Sequence, residues 1–244
     1  MGYLGRGLSV WRVAGNADPT GVVRVRANNP SPLTLDGTNT YVVGRWVVDP
    51  GPADDDHFAA IQAAAVEGIE AVVLTHDHSD HAEGADRLGA PVVLPRDGEE
   101  MGPFRAVATP GHSPDSVCLL AGAACFTGDT VLGEGSVFIS PDEGSLSAYL
   151  ESLRKLRRLE LEVLCPGHGP YVWEPHAKLD EYIEHRLDRE RRLLAALEAG
   201  LRDHDELLDA AWSDVPAPLR FAAELTLRAH LGKLAEEGRL PPGV

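Results

Sequence analysis

Apolar residues come in short blocks along the first two thirds of the chain and in longer helical periods after that. Val22–Arg26 and Thr40–Val48 are rich in Val and Tyr and read as strands. Asp54–Glu67 reads as a helix: acidic residues crowd its first turn, Phe58, Ile61 and Ala65 share a face, and Gly68 ends it. Ala71–Leu74 has the pattern of a short buried strand and runs straight into a His-rich segment. Glu83–Leu88 predicts a short helix and Pro91–Leu94 a strand. Arg105–Ala108, Val117–Ala121 and Ala124–Thr127 continue the strand series. Leu146–Leu159 is an amphipathic helix with Leu146, Leu150, Leu153 and Leu156 on one face, and Leu161–Cys165 is a last short strand.

After about Trp173 the pattern changes. His176–Ala199 predicts one long charged helix, followed by Glu206–Trp212 and Ala222–Glu237. Strands mixed with helices and then a helical tail predict an α/β body over residues 1–175 and a small helical unit over 176–244. No internal repeat or low-complexity linker separates them.

Composition narrows the class. Of 244 residues, 43% are hydrophobic and 25% charged, enough to bury a core without disulfide staples and too apolar for a disordered chain. No apolar stretch is long enough to span a membrane. Met1–Gly15 lacks the apolar run and small-residue site of a secretion signal, and Arg6 stands where a myristoylation motif needs Ser or Thr. A cytoplasmic protein without a membrane partner is expected. The three cysteines, Cys118, Cys125 and Cys165, form no CxxC and read as buried free thiols.

Charge bears on the substrate. Asp and Glu number 38 against 22 Lys and Arg, a formal charge of −16. Such a field repels polyanions at long range and argues against non-specific nucleic-acid binding. It leaves a nuclease open, because bound divalent cations add local positive charge. The tail is acidic as well, so it is not a basic arm.

The chemistry concentrates in Thr75-His76-Asp77-His78-Ser79-Asp80-His81, where three imidazoles and two carboxylates follow an apolar strand. Such a crowd needs partners. A mixed His/Asp set suits zinc, manganese or iron. Three further candidates sit just past strand ends: His112 in Thr109-Pro110-Gly111-His112, Asp129 in Thr127-Gly128-Asp129-Thr130, and His168 in Pro166-Gly167-His168-Gly169. Strand ends of one sheet converge at one edge, where loops form sites.

His76-x-His78-x-Asp80-His81 with His112, Asp129 and His168 resembles the signature of the metallo-β-lactamase superfamily, over about residues 20–175. The resemblance implies an αββα sandwich, two mixed sheets between helices, with a binuclear metal site at one edge. It implies that His76, His78 and His112 hold one cation, that Asp80, His81 and His168 hold the other, and that Asp129 bridges them. Two Zn2+ are the simplest pair, with Mn2+ or Fe2+ as alternatives. The implied reaction is hydrolysis by a hydroxide shared between the cations, with Asp80 as a catalytic residue that orients it.

Asn29–Tyr41, Gly133–Ser136 and Pro166–Pro170 are similar to the β-lactamase-like protein 2 group of that superfamily. This narrower likeness implies a winged-helix-like C-terminal unit and a phosphodiesterase acting on single-stranded RNA. The alternative is a small-molecule ester or thioester hydrolase of hydroxyacylglutathione hydrolase type, since glyoxalase II shares the metal motif. A β-lactamase is disfavoured by Asp129, which stands where those enzymes carry Cys or Ser. Asp49 is read either as a carboxylate behind a ligand His or as the opening of the Asp49-Pro50-Gly51 turn. Asp77 is read as a solvated or capping residue as readily as a supporting one, and Cys165 as core. His57, His176, His185, His204 and His230 are expected on helix surfaces. The tail is expected to pack beside the cleft and shape access, with a homodimer surface left open.

Overall fold

The computed structural model describes residues 18–244, so the reading of Met1–Gly15 lies outside the described residues. Two five-stranded mixed sheets are stacked face to face. The first has the order β1 (Val22–Arg26), β2 (Asn39–Val43), β3 (Trp46–Val48), β4 (Ala71–Val73), β5 (Val92–Val93), antiparallel up to β3 and parallel beyond it. The second has the order β10 (Val163–Pro166), β9 (Ala124–Gly128), β8 (Val117–Ala121), β7 (Phe104–Ala108), β6 (Glu100–Met101). In it β10 and β9 run parallel and the rest antiparallel.

The two-residue period of the strands sorts their side chains between layers. Val117 and Leu119 of β8 and Ala124 and Phe126 of β9 point between the sheets, where Tyr41, Val48 and Val73 meet them. Cys118, Leu120 and Cys125 point the other way, onto α3 (Leu146–Leu156) and the first half of α4 (Pro175–Glu198). On the far side, Val42, Val47 and Val72 pack against Phe58 and Ile61 of α1 (Asp55–Ala64). The result is the expected αββα layering.

Several local expectations need adjustment. Thr40–Val48 is two strands, because Gly44 at φ 59° turns the chain back after Val43. The expected helix Glu83–Leu88 is replaced by α2 (Ser79–Ala82) and a 3-10 turn, Ala85–Leu88. Asp54 caps α1 by accepting from the His57 N–H, and Ser145 caps α3 through the Ala148 N–H.

The tail is helical: α4, α5 (His204–Trp212) and α6 (Arg220–Glu236). No strand follows β10 among the described residues, so the unit has no β-wing. Leu193, Leu197, Leu207, Leu208, Trp212, Leu227, Leu231 and Leu234 form its own core. The composition break falls at the start of α4, but that helix serves both parts: Leu179 and Tyr182 pack on the sheet layer, Leu193 and Leu197 in the tail. No helix among the described residues is long and apolar enough to cross a membrane.

Candidate metal centre

All seven donors named from the sequence meet at one edge of the sandwich. β3, β4, β7, β9 and β10 end there, and Asp49, His76, His112, Asp129 and His168 follow those ends. His78 precedes α2, which carries Asp80 and His81.

Two donor groups result. Ligand atoms of His76, His78 and His112 lie within 4.8 Å of one another, as do those of Asp80, His81 and His168. His76 Nε2 is 3.1 Å and His112 Nε2 3.0 Å from His78 Nδ1. His81 Nε2 is 3.3 Å from His168 Nε2, which is 3.2 Å from Asp80 Oδ2. Asp129 lies between the groups: Oδ1 is 3.4 Å from His81 Nε2 and 3.3 Å from His168 Nε2, while Oδ2 is 3.8 Å from His112 Nε2.

These separations suit cations. Bonds of 2.0–2.1 Å in a tetrahedron set donors about 3.3–3.4 Å apart. Asp129 Oδ1 is buried and accepts no hydrogen bond, although two imidazole nitrogens stand near it. Ring nitrogens converging at these distances, with a buried carboxylate oxygen that has no hydrogen-bond partner among the described residues, are what a divalent cation would satisfy.

The electrostatics are asymmetric. Burial and the neighbouring imidazoles lower the pKa of His76, and burial lowers that of His112, leaving both neutral. Burial also opposes charge on His81 and His168, but carboxylates overcome it. Asp129 and Asp49 hold His81 well above the ordinary imidazole value, and Asp129 and Asp80 raise His168 to about 9. Asp129 is itself held well below the usual carboxylate range, against its burial, by His168 and His81.

Behind the donors, Asp49 is 2% exposed. It accepts from the Thr75 N–H and O–H, each at 2.7 Å, and its Oδ2 lies 2.9 Å from His81 Nδ1. Of the two readings from sequence, the one behind a histidine describes its contacts. Asp77 is exposed and outside the cluster, its N–H donating to Asp115. Cys165 is core, its thiol pushed up by burial.

Sequence reasoning missed three supporting residues. Thr75 is the first link behind His76 and Asp49. Asn39 donates to the Pro166 and Gly169 carbonyls at 3.0 and 2.8 Å, fixing the loop that carries His168. Glu143 lies 3.6 Å from His78 Nε2. Asn39 stands in the segment Asn29–Tyr41, so a signal existed; Glu143 lies in a loop with none.

The expected surface placement fails for His57 and His230, both buried. His57 Nε2 lies 2.8 Å from Thr40 Oγ1. Both ring nitrogens of His230 lack partners among the described residues, and the ring packs edge-on against Trp212.

A cavity of about 410 Å³ opens from the donors. His78, Asp80, His112, Asp129 and His168 line its floor. The tail supplies its far wall, as expected, with Trp212, Val215, Leu219, Ala222, Arg186 and Arg189.

The description "Metallo-beta-lactamase superfamily" belongs to the family model that matches residues 33–92 and 91–168. A Caenorhabditis elegans protein named "Beta-lactamase-like protein 2 homolog" is 32% identical over 89% of this chain and 85% of its own length. An Aspergillus fumigatus "Atrochrysone carboxyl ACP thioesterase" is 34% identical over 83% of this chain and 77% of its own. Among solved structures, a metallo-β-lactamase family protein of Thermus thermophilus superposes with a TM-score of 0.73 at 23% identity, covering 89% of this chain and 94% of that one. A protein solved in a di-iron-bound form, TTHA1623, is 26% identical with a TM-score of 0.53, covering 67% of this chain and 97% of that one.

Proposed function

The chain belongs to the metallo-β-lactamase superfamily of hydrolases, and on that premise we propose that it hydrolyses acyl thioesters of small carbon skeletons in a cytoplasmic setting. One observation carries the reading: the cavity on the donors is walled by Leu33, Leu132, Val137, Phe138, Trp212 and Leu219. Its volume falls in the range of about 300–1,000 Å³ that takes small molecules. The thioesterase name of a fungal relative supports the reaction class. Three free, buried thiols support a reducing compartment.

In this reading His76, His78 and His112 would hold one cation and Asp80, His81 and His168 the second, with Asp129 available to both. Zn2+ suits the His-rich donors, and Fe2+ or Mn2+ suit them with the carboxylates. Two bound cations would supply Lewis acidity and bring the pKa of water toward neutrality.

The chain's own residues do the rest. Asp49 accepts the Nδ1–H of His81, which leaves Nε2 to face the cluster as the ligand atom. Asp80 sets Oδ2 against His168 and leaves its other oxygen to orient a water. The apolar wall excludes bulk solvent, which strengthens these interactions. A leaving thiolate of pKa about 8.5 asks for no general acid.

The second reading, cleavage of single-stranded RNA, is favoured by the likeness of Asn29–Tyr41 and by the homologues named β-lactamase-like protein 2. Against it, single strands are held by cationic grooves with stacking platforms. Here Arg189 is tied to Asp214, and Glu134 lines the cavity.

The deciding experiment gives metal-loaded protein an acyl N-acetylcysteamine thioester and, separately, a single-stranded RNA oligonucleotide, with Asp129→Ala as control. Thioester turnover that disappears in the variant is the expected result. RNA cleavage lost in the variant, without thioester turnover, overturns the reading in favour of the second.

A further inference from the structure

Arg186 is a buried cation without a counter-ion among the described residues. It is 2% exposed, on the α4 face toward the cavity. One Nη donates to the Val137 carbonyl, the guanidinium lies 5.4 Å over the Tyr149 ring, and Nε has no partner. Its basic neighbours are paired: Arg189 with Asp214, and Lys233 with Glu190 at 2.6 Å. Arg186 has no such carboxylate among the described residues.

An unpaired guanidinium is costly to bury and cannot relieve the cost by losing its proton. An anion entering with a ligand relieves it. Arg186 also stands close to the donors along the backbone. It holds the Val137 carbonyl, while the next carbonyl, that of Phe138, lies 3.4 Å from His112 Nδ1. Consecutive Cα atoms are about 3.8 Å apart.

We propose that Arg186 anchors a free carboxylate on the acyl chain, so that the preferred substrates are monothioesters of dicarboxylic acids. The scissile carbonyl lies at the donor cluster and the distal carboxylate at the guanidinium, with a methylene spacer along the apolar wall. The assignment rests on the thioester reading for its reaction, but the anchoring stands on Arg186 itself. A carboxylate is favoured over a polyphosphate because one unpaired guanidinium faces the cavity. Arg189 is already neutralised, and Asp214 and Glu134 line the same space.

The test has two arms on metal-loaded protein. In the first, monothioesters of malonic to adipic acid are compared with neutral acyl thioesters of equal length on N-acetylcysteamine. At least one acidic member exceeds its neutral partner by about tenfold or more in kcat/KM, the size of a charged hydrogen bond. In Arg186→Gln that ratio falls to about threefold or less. Arg186→Lys, which keeps the charge but not the fork, retains an intermediate ratio.

In the second arm, dicarboxylates and monocarboxylates are titrated calorimetrically into wild type and Arg186→Gln. The dicarboxylates bind about tenfold tighter or more to wild type only. No acidic preference in wild type overturns the proposal whether or not the variants fold, as does a preference that survives both substitutions. If no thioester is hydrolysed, the functional reading falls, and calorimetry alone upholds or overturns the carboxylate anchor.

Discussion

Asp49 Oδ2 and His81 Nδ1 lie 2.9 Å apart in the interior, and Thr75 donates two further bonds to the same carboxylate. The ring of His81 thus has one orientation, Nδ1 on Asp49 and Nε2 toward the donors. Losing such a partner weakens metal binding by about 10–100-fold. Asp49→Ala is expected to lower metal affinity by that factor, read by chelator competition, with turnover falling in step. Unchanged affinity would show that His81 needs no such hold.

Asp129→Ala removes the carboxylate facing both donor groups. Metal content measured by mass spectrometry is expected to fall, and hydrolysis to drop to background. Turnover at the wild-type rate would mean that the reaction runs elsewhere.

Metal loading should depend on pH with a fixed sign. Carboxylates raise His168 to about 9 and hold His81 above the ordinary imidazole value, so both rings carry protons that a cation must displace. Affinity therefore rises with pH across pH 6–8, by about tenfold per pH unit for each proton released. Titrations in matched buffers at pH 6, 7 and 8 check this; a flat profile contradicts it.

Gly167 packs against the site. A Cβ there would stand 2.5 Å from His81 Cε1 and 2.8 Å from Asp129 Oδ1. Gly167→Ala is expected to cost about 1–3 kcal/mol. That lowers Tm by about 2–4 °C per kcal/mol for a chain of this size. Metal is also lost, because the donors must shift. Normal Tm and full metal content would show that the edge can relax.

His230 makes the tail acid-sensitive. Burial drives its pKa well below 6.5, and the charges of Arg186, Lys233, His185 and Arg189 push the same way. The unfolded chain takes up a proton near 6.5 while the fold refuses it. The contribution is therefore whole above that pH and fades as pH falls. Between pH 6.5 and 5.5 it amounts to about 1 kcal/mol. His230→Leu should narrow the Tm difference between pH 7.5 and 5.5; an equal difference would place the acid response elsewhere.

The donors were legible because four of them, His76, His112, Asp129 and His168, come just past apolar strands, and His78, Asp80 and His81 crowd within five residues of the first. The pattern alone predicted an α/β body; the αββα order came from the resemblance that the donor spacing carries. β6 was not: Glu100–Met101 is a strand only because Phe104–Arg105 pairs with it. Gly44 and Arg45 break Thr40–Val48 with too few residues to show as a loop. Arg186 lies in a helix dense in charge, and nothing in its neighbours separates a solvated position from one pressed against Val137 and Tyr149. His57 is similar: its contact with Thr40 crosses from helix to sheet, beyond any local period.

α4 is shared between two cores, and this divides the labour of heredity. The donors hang from strand ends, while the far wall hangs from a helix whose first half is locked to those strands. Drift in α5 and α6 can reshape what the cleft admits without disturbing the seven donors at the sheet edge. Cutting the chain at the composition break would not free an independent catalytic body. It would strip Leu179 and Tyr182 from the layer beneath the site.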